Sequence, residues 1–434
     1  MNINHFCLLL SGSLLFCACH SGAQPEQKAS SAAVAASPAL PEPGKSKIKF
    51  SKVIGWPAGR TPQAPAGFKV TAFASGIKSP RNMIVTPNGD VLVALSNSER
   101  SLKDKISGAL SGKSKSEVPG ASANTILLYR DADKDGLPEL STVFLADLNQ
   151  PFGMAIIGNW FYVANTDGVW RYPYQSGATK ITGTGTRIIE LPAGGYNNHW
   201  TRNLLVSGDK TRLYVSVGSG SNVAEHGMEN EVRRANILEF NPDGSGEKVY
   251  ASGLRNPVGM DWAPATGMLW TAVNERDGLG DDLVPDYITS VQPGAFYGWP
   301  FAYFGQHEDP RLKGENPALV QKTIVPDVPL GSHTASLGLA FYKQTAFPKA
   351  YHGGAFIGQH GSWNSSKLVG YRVAFVPFNT GKASGTVQEF LGGFIADEAE
   401  GKVYGRPVGV TVLPDGALLV ADDAGGMIWR VSAQ

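Results

Sequence analysis

From about residue 66 onward the chain repeats one order of polar and apolar positions. A polar or basic residue next to Pro or Gly precedes an apolar run, then a turn, then a second apolar run. The first copy is Ser79-Pro80-Arg81-Asn82-Met83-Ile84-Val85, the turn Pro87-Asn88-Gly89-Asp90, and Val91-Leu92-Val93-Ala94. Copies follow at Gln150-Pro151-Phe152-Gly153, Trp200-Thr201-Arg202-Asn203, Gly253-Leu254-Arg255-Asn256, Thr334-Ala335-Ser336-Leu337 and Arg406-Pro407-Val408-Gly409. Short apolar runs bounded by Gly, Pro, Asn and Asp predict β-strands joined by tight turns.

The copies recur at roughly 50 to 80 residues, more than one hairpin needs, which leaves room for two further strands per unit. The fold expected is all-β, a six-bladed β-propeller of four-stranded antiparallel blades, a ring that protects its sheet edges. Its axis would gather the residues just before each first run: Arg81, Phe152, His199, Arg255, His333 and Arg406.

Composition agrees with many short strands. Gly numbers 52 and Pro 28 of 434 residues, while charged residues make up only 17%. A net charge of +1 leaves no basic excess for a nucleic-acid partner. The three cysteines, Cys7, Cys17 and Cys19, lie at the N-terminus, so the body has no disulfide, thiolate metal site or cysteine nucleophile. Residues 6–18 form an apolar run too short to span a bilayer, the pattern of a secretory signal. Phe16-Cys17-Ala18-Cys19 resembles a lipoprotein processing site with Cys19 lipidated. The expected organisation is a signal over 1–18, a tether poor in large apolar residues over 19–50, and the propeller over 51–434. The protein is thus expected to be exported, at the periplasm or cell surface, with an N-terminal lipid anchor as its only membrane contact.

The stretch Gly253–Pro300 holds the densest set of chemically active side chains. Arg255 suits a carboxylate or a developing oxyanion, or else an inter-blade ion pair. His199, in Asn197-Asn198-His199-Trp200, has the residue type of a general base at an axial loop. His360 and Trp363 lie in Gln359-His360-Gly361-Ser362-Trp363-Asn364, after a second run. Asp131, Asp133 and Asp135 alternate before Gly136 as in a calcium loop, but Thr142 stands where an EF-hand needs Glu. A structural calcium turn and an ordinary acidic turn both remain open. No Walker loop, Rossmann glycine motif, zincin motif or nucleophile elbow is present.

These motifs resemble the soluble quinoprotein sugar dehydrogenases, the glucose/sorbosone dehydrogenase family that uses pyrroloquinoline quinone (PQQ). The resemblance covers about residues 64–432. It rests on His199 before its strand, Gly253-Leu254-Arg255-Asn256-Pro257, Asn274–Asp286, Tyr297-Gly298-Trp299-Pro300 and Arg406. It is closest to the sorbosone branch through Asn274-Glu275-Arg276-Asp277 and residues 359–364. It implies PQQ in an axial pocket with calcium on its quinone face, and oxidation of an aldose or related aldehyde. Electrons would pass to an external quinone or cytochrome. His199 would take the substrate proton and Arg255 would polarise the quinone. Asn256, Arg276, His360, Trp363 and Arg406 would hold the cofactor, and Glu275, Asp281, Asp282 and Asp286 would supply calcium ligands. The glucose enzymes carry a lysine where His360 falls. A calcium-dependent lactonase-type propeller and a non-catalytic binding propeller are the alternatives.

Overall fold

The computed structural model describes residues 37–99, 113–116, 118 and 120–434. The signal over 1–18 and Cys19 lie outside the described residues. Among the described residues six four-stranded antiparallel sheets make up the body, the first five of them up-and-down meanders. The first four run through Pro80–Val85 to Leu140–Leu145, Met154–Ile157 to Thr186–Glu190, Leu204–Val206 to Lys248–Ser252, and Pro257–Trp262 to Val328–Ser332. The fifth joins Ala340–Phe341, Ala355–Gln359, Arg372–Val376 and Gln388–Leu391. In the sixth, Pro407–Val412, Leu418–Asp422 and Met427–Ala433 are completed by the early strand Phe68–Ser75, which pairs with Met427–Ala433. The sheet that ends the chain is therefore closed by its beginning.

The second strand of each sheet is buried nearly throughout. Val91–Leu95, Leu213–Val217, Leu269–Val273, Ala355–Gln359 and Leu418–Asp422 expose no residue. Such strands lack polar alternation because both faces pack against neighbouring sheets. The first strands touch in chain order, each against the next, and the sixth touches the first.

Two adjacent positions explain that contact. Phe152, Val258, Leu337 and Val408, from four different sheets, form one buried apolar cluster. The residue after each is Gly153, Gly259, Gly338 or Gly409, and each lies against the backbone of the next first strand. A Cβ there would stand 2.2 Å from Leu204 N, 2.5 Å from Leu339 N, 2.2 Å from Val408 O or 2.4 Å from the Arg81 carbonyl. In the first and third sheets Asn replaces Gly at this place. Asn82 Nδ2 donates to the Phe152 carbonyl at 3.1 Å, and Asn203 Nδ2 to the Val258 carbonyl at 2.8 Å. Gly409→Val is expected to destabilise the fold by roughly 2–3 kcal/mol, because backbone cannot yield as a side chain does. A lower urea midpoint at unchanged slope is the measurement; an unchanged midpoint would refute the close packing.

The expected tether does not extend to residue 50. From Ser37 the chain is fastened to the body: Gln306 N donates to Ser37 Oγ, Gly44 N to the Leu279 carbonyl, and Lys49 N to the Trp363 carbonyl. Lys52–Val53 then pairs in parallel with Lys402–Val403. The composition is tether-like, but Leu40, Val53 and Trp56 supply apolar anchors that pack on the core clusters. Among the described residues no helix is long and apolar enough to cross a membrane.

Candidate functional site

In a meander the chain enters the first strand and leaves the second at the same end of the sheet. Loops of both kinds surround a cavity of about 840 Å³. Entry loops and strand starts contribute Arg81, His199, Arg255, Asn256, His333 and Arg406; exit loops contribute Asn222, Asn274, Asp277, His360, Trp363 and Asp423. Of the positions expected to converge, Phe152 alone does not line this cavity. It falls at the register of Val258 and Leu337, three residues beyond the register of His199 and Arg255, and is buried in the apolar cluster.

His199 has one ring nitrogen fixed. Nδ1 donates to the Ser219 carbonyl at 2.8 Å, since a carbonyl only accepts, and Nε2 has no hydrogen-bond partner among the described residues. Burial first, then the positive charge of Arg255, holds its pKa well below the usual 6.5. The ring is neutral with its Nε2 lone pair available, which is the state a general base requires.

Arg255 has little donor capacity left. Its guanidinium bonds the Asn222 carbonyl at 3.1 Å, the Asn222 Oδ1 at 2.8 Å and the Glu275 carbonyl at 2.7 Å, and lies 3.5 Å from Asp277. It acts on a ligand chiefly through charge. Asp277 also meets His333 Nδ1 at 3.4 Å, while His333 Nε2 donates to the Gly280 carbonyl at 2.7 Å. Burial works to raise the Asp277 pKa, but His333 and Arg255 outweigh it and lower it. Burial works to lower that of His333, and Asp277 reverses this. Beside them Asn256 is 5% exposed, and its Oδ1 is buried with no partner.

On another part of the wall, Arg406 donates to the carbonyls of His360, Ser116 and Gly361 at 2.9, 2.7 and 2.8 Å, which leaves two of its five N–H groups for a ligand. Asp423, 3% exposed, accepts from His360 Nε2 at 2.8 Å and from Arg81 NH1. Burial and then Arg406 lower the His360 pKa to about 4. Trp363 lies at the cavity with Phe50 stacked on it, ring centres 6.1 Å apart.

The remaining candidates stand apart from the cavity. Arg276 is buried at 3.4 Å from Asp309. Glu275 is buried and accepts from Arg276 N, and burial raises its pKa to about 7 against the pull of Arg255. Asp286 accepts from Glu275 N, Thr334 Oγ1 and Ser336 N, so it ties two loops to its own strand, and burial raises its pKa to about 6. Asp281 is bound by Ser366, and Asp282 is exposed. These four carboxylates do not form a cation cage. Among the described residues the carboxylates that do converge are Asp131, Asp133, Asp135 and Glu139, whose oxygens lie within 4.8 Å of one another on a turn of the first sheet.

An all-β body of four-stranded sheets with a cation-lined cavity at their loops defines the class. Residues 62–296 and 303–434 match the TrAA12-like family, and the chain belongs to it. It is 32% identical over 244 residues to an uncharacterised protein of Borreliella burgdorferi, covering 56% of this chain and 62% of the relative. It is 28% identical over 187 residues to the aldose sugar dehydrogenase YliI of Escherichia coli, covering 39% of this chain and 48% of the relative. The matches thus span less than two thirds of either relative's length. Among solved structures the fold is shared with the PQQ domain of a pyranose dehydrogenase from Coprinopsis cinerea (TM-score 0.68, 21% identity, 88% of this chain and 100% of that one). It is also shared with a Trichoderma reesei enzyme of carbohydrate-active family AA12 (TM-score 0.69, 19% identity, 89% and 100%).

Proposed function

We propose that the protein is a PQQ-dependent oxidoreductase of aldoses or related aldehydes, built as a six-bladed propeller. The ring is supported by the contacts between first strands and by the apolar cluster drawn from four sheets. The observation that carries the activity is His199, neutral and tethered through Nδ1, on the wall of a cavity lined by Arg81, Arg255 and Arg406.

A flat polycarboxylate fits these residues. Arg406 retains two donors and Arg81 adds charge, while the unpartnered Asn256 Oδ1, which only accepts, is placed to take an N–H or O–H of a ligand. When bound, PQQ would supply the acceptor for one hydride, which carries both electrons of the oxidation. His199 Nε2 takes the proton from the substrate hydroxyl as the C–H bond breaks. Arg255 stabilises negative charge that develops beside it, and the Asn222, Asn274 and Glu275 contacts keep it from reorienting. Cavity carboxylates Asp277 and Asp423 are paired with Arg255 and Arg81, which disfavours the lactonase alternative, where carboxylates must face a metal.

Calcium enters this proposal only as a structural ion at the Asp131–Glu139 turn; no chemical step depends on it. Calcium is expected to raise the thermal midpoint by roughly 1–3 °C. Asp133→Asn should remove that shift while leaving activity intact, and equal shifts in both proteins would exclude the site. Placement in the sorbosone branch rests on residues 274–277 and 359–364. Export, lipidation of Cys19 and an external quinone or cytochrome acceptor complete the proposal from sequence alone.

The deciding experiment is dye reduction by the full protein across aldoses and aldehydes, with and without added PQQ. PQQ-dependent reduction is expected. Absence of PQQ binding in a parallel fluorescence titration would overturn the cofactor assignment.

A further inference from the structure

A buried carboxylate is anomalous in the wall of a pocket that is to hold an anion. Asp423 follows the second strand of the sixth sheet and lines the cavity. It uses both oxygens on side chains from other sheets: Oδ1 on His360 and Oδ2 on Arg81. Burial works to raise the Asp423 pKa, but His360 and Arg81, with a smaller contribution from Arg406, hold it far below the carboxylate range. The adjacent Asp422 is engaged by Trp56 Nε1 at 2.6 Å and by the Arg406 and Gly425 amides, and it does not line the cavity. Across the cavity, Arg255 and His333 are balanced in part by Asp277. On the Asp423 side two guanidinium charges are therefore opposed by one carboxylate, with His360 contributing a hydrogen-bonded neutral ring.

We propose that Asp423, by cancelling one positive charge of the Arg81–Arg406 side, limits the affinity of the cavity for a polycarboxylate cofactor. The inference rests on the reading of the cavity as a PQQ site and adds how tightly that site is set to bind. A residue that only holds its neighbours in place weakens binding when altered. One that cancels charge strengthens it, so the two roles predict opposite signs.

Asp423→Asn keeps the side-chain shape and removes the charge; its amide oxygen still accepts from Arg81, and its NH2 donates to His360 once that neutral ring carries its proton on Nδ1. In the apoprotein its affinity for PQQ, followed by quenching of tryptophan fluorescence, is expected to rise on the order of tenfold. The dependence of binding on salt should steepen with the added positive charge. Arg81→Gln alone is expected to weaken binding about tenfold, since it leaves the Asp423 charge facing the ligand with one guanidinium fewer. The double variant Arg81→Gln/Asp423→Asn retains the net charge of the wild type and should bind within about threefold of it. It also leaves no unpaired buried charge, so it tests the idea even if Asp423→Asn alone does not fold. Binding by Asp423→Asn no tighter than wild type, or a double variant as weak as Arg81→Gln, overturns the role of Asp423 and leaves the PQQ reading standing. Failure of the wild type to bind PQQ overturns both.

Discussion

Replacing His199 by alanine is expected to lower kcat for aldose oxidation by about 10²–10⁴-fold, the range a positioned general base supplies. PQQ affinity should change little, because none of the residues proposed to hold the cofactor is hydrogen-bonded to the His199 ring. The pH profile gives a second check. The folded His199 pKa is lowered below 6.5, so the ring stays neutral throughout the range above that value. Activity is therefore expected to hold as pH falls to 6.5 and to be lost only below it, as the ring protonates. The alanine variant should lack that acid limb. Undiminished kcat in His199→Ala would remove the residue from the chemistry, whatever the cofactor.

The repeat was legible because its apolar runs are long, uniform and bounded by turn residues, and each was expected to open a four-stranded unit. Leu418–Asp422 and Val91–Leu95 are strands of this kind, buried along their whole length. Half of the site was legible for the same reason, since His199, Arg255 and Arg406 stand where a polar residue precedes an apolar run. The other half lies on exit loops, of which the 274–286 and His360–Asn364 loops were expected to reach the axis. Asn222 follows Gly218-Ser219-Gly220-Ser221, and Asp423 follows a buried strand, so each has a positional signal of the same sort as His360. It is weaker because nothing apolar follows such a residue to mark its register. The expected calcium ligands illustrate a different limit. Glu275 and Asp286 are close in sequence and both acidic, but burial and backbone donors turn them into ties within the fourth sheet and its loops. Sequence shows that carboxylates cluster, and only geometry shows whether they face a ligand or each other's backbone.

Gly218→Ala tests whether the cavity positions His199 as closely as its chemistry needs. Gly218 leaves the buried strand Leu213–Val217 directly beneath two site residues. A Cβ there would stand 2.5 Å from His199 Cβ and 2.5 Å from Asn256 Oδ1, closer than such atoms approach in proteins. His199 is held by the carbonyl of the adjoining Ser219, so the added methyl moves the ring or breaks that bond. A displacement of the order of 1 Å at a reacting group costs about 10²-fold. The expected result is a fall in kcat approaching that of His199→Ala, with a thermal midpoint lowered only modestly because the pressure is relieved into the cavity. Asn256 is displaced by the same methyl, so PQQ affinity should fall as well, which His199→Ala alone does not produce. Loss of kcat together with weaker PQQ binding would place the proposed base and the cofactor side by side. Loss of kcat with unchanged PQQ binding would separate Asn256 from the cofactor and leave only His199 next to the reacting atoms.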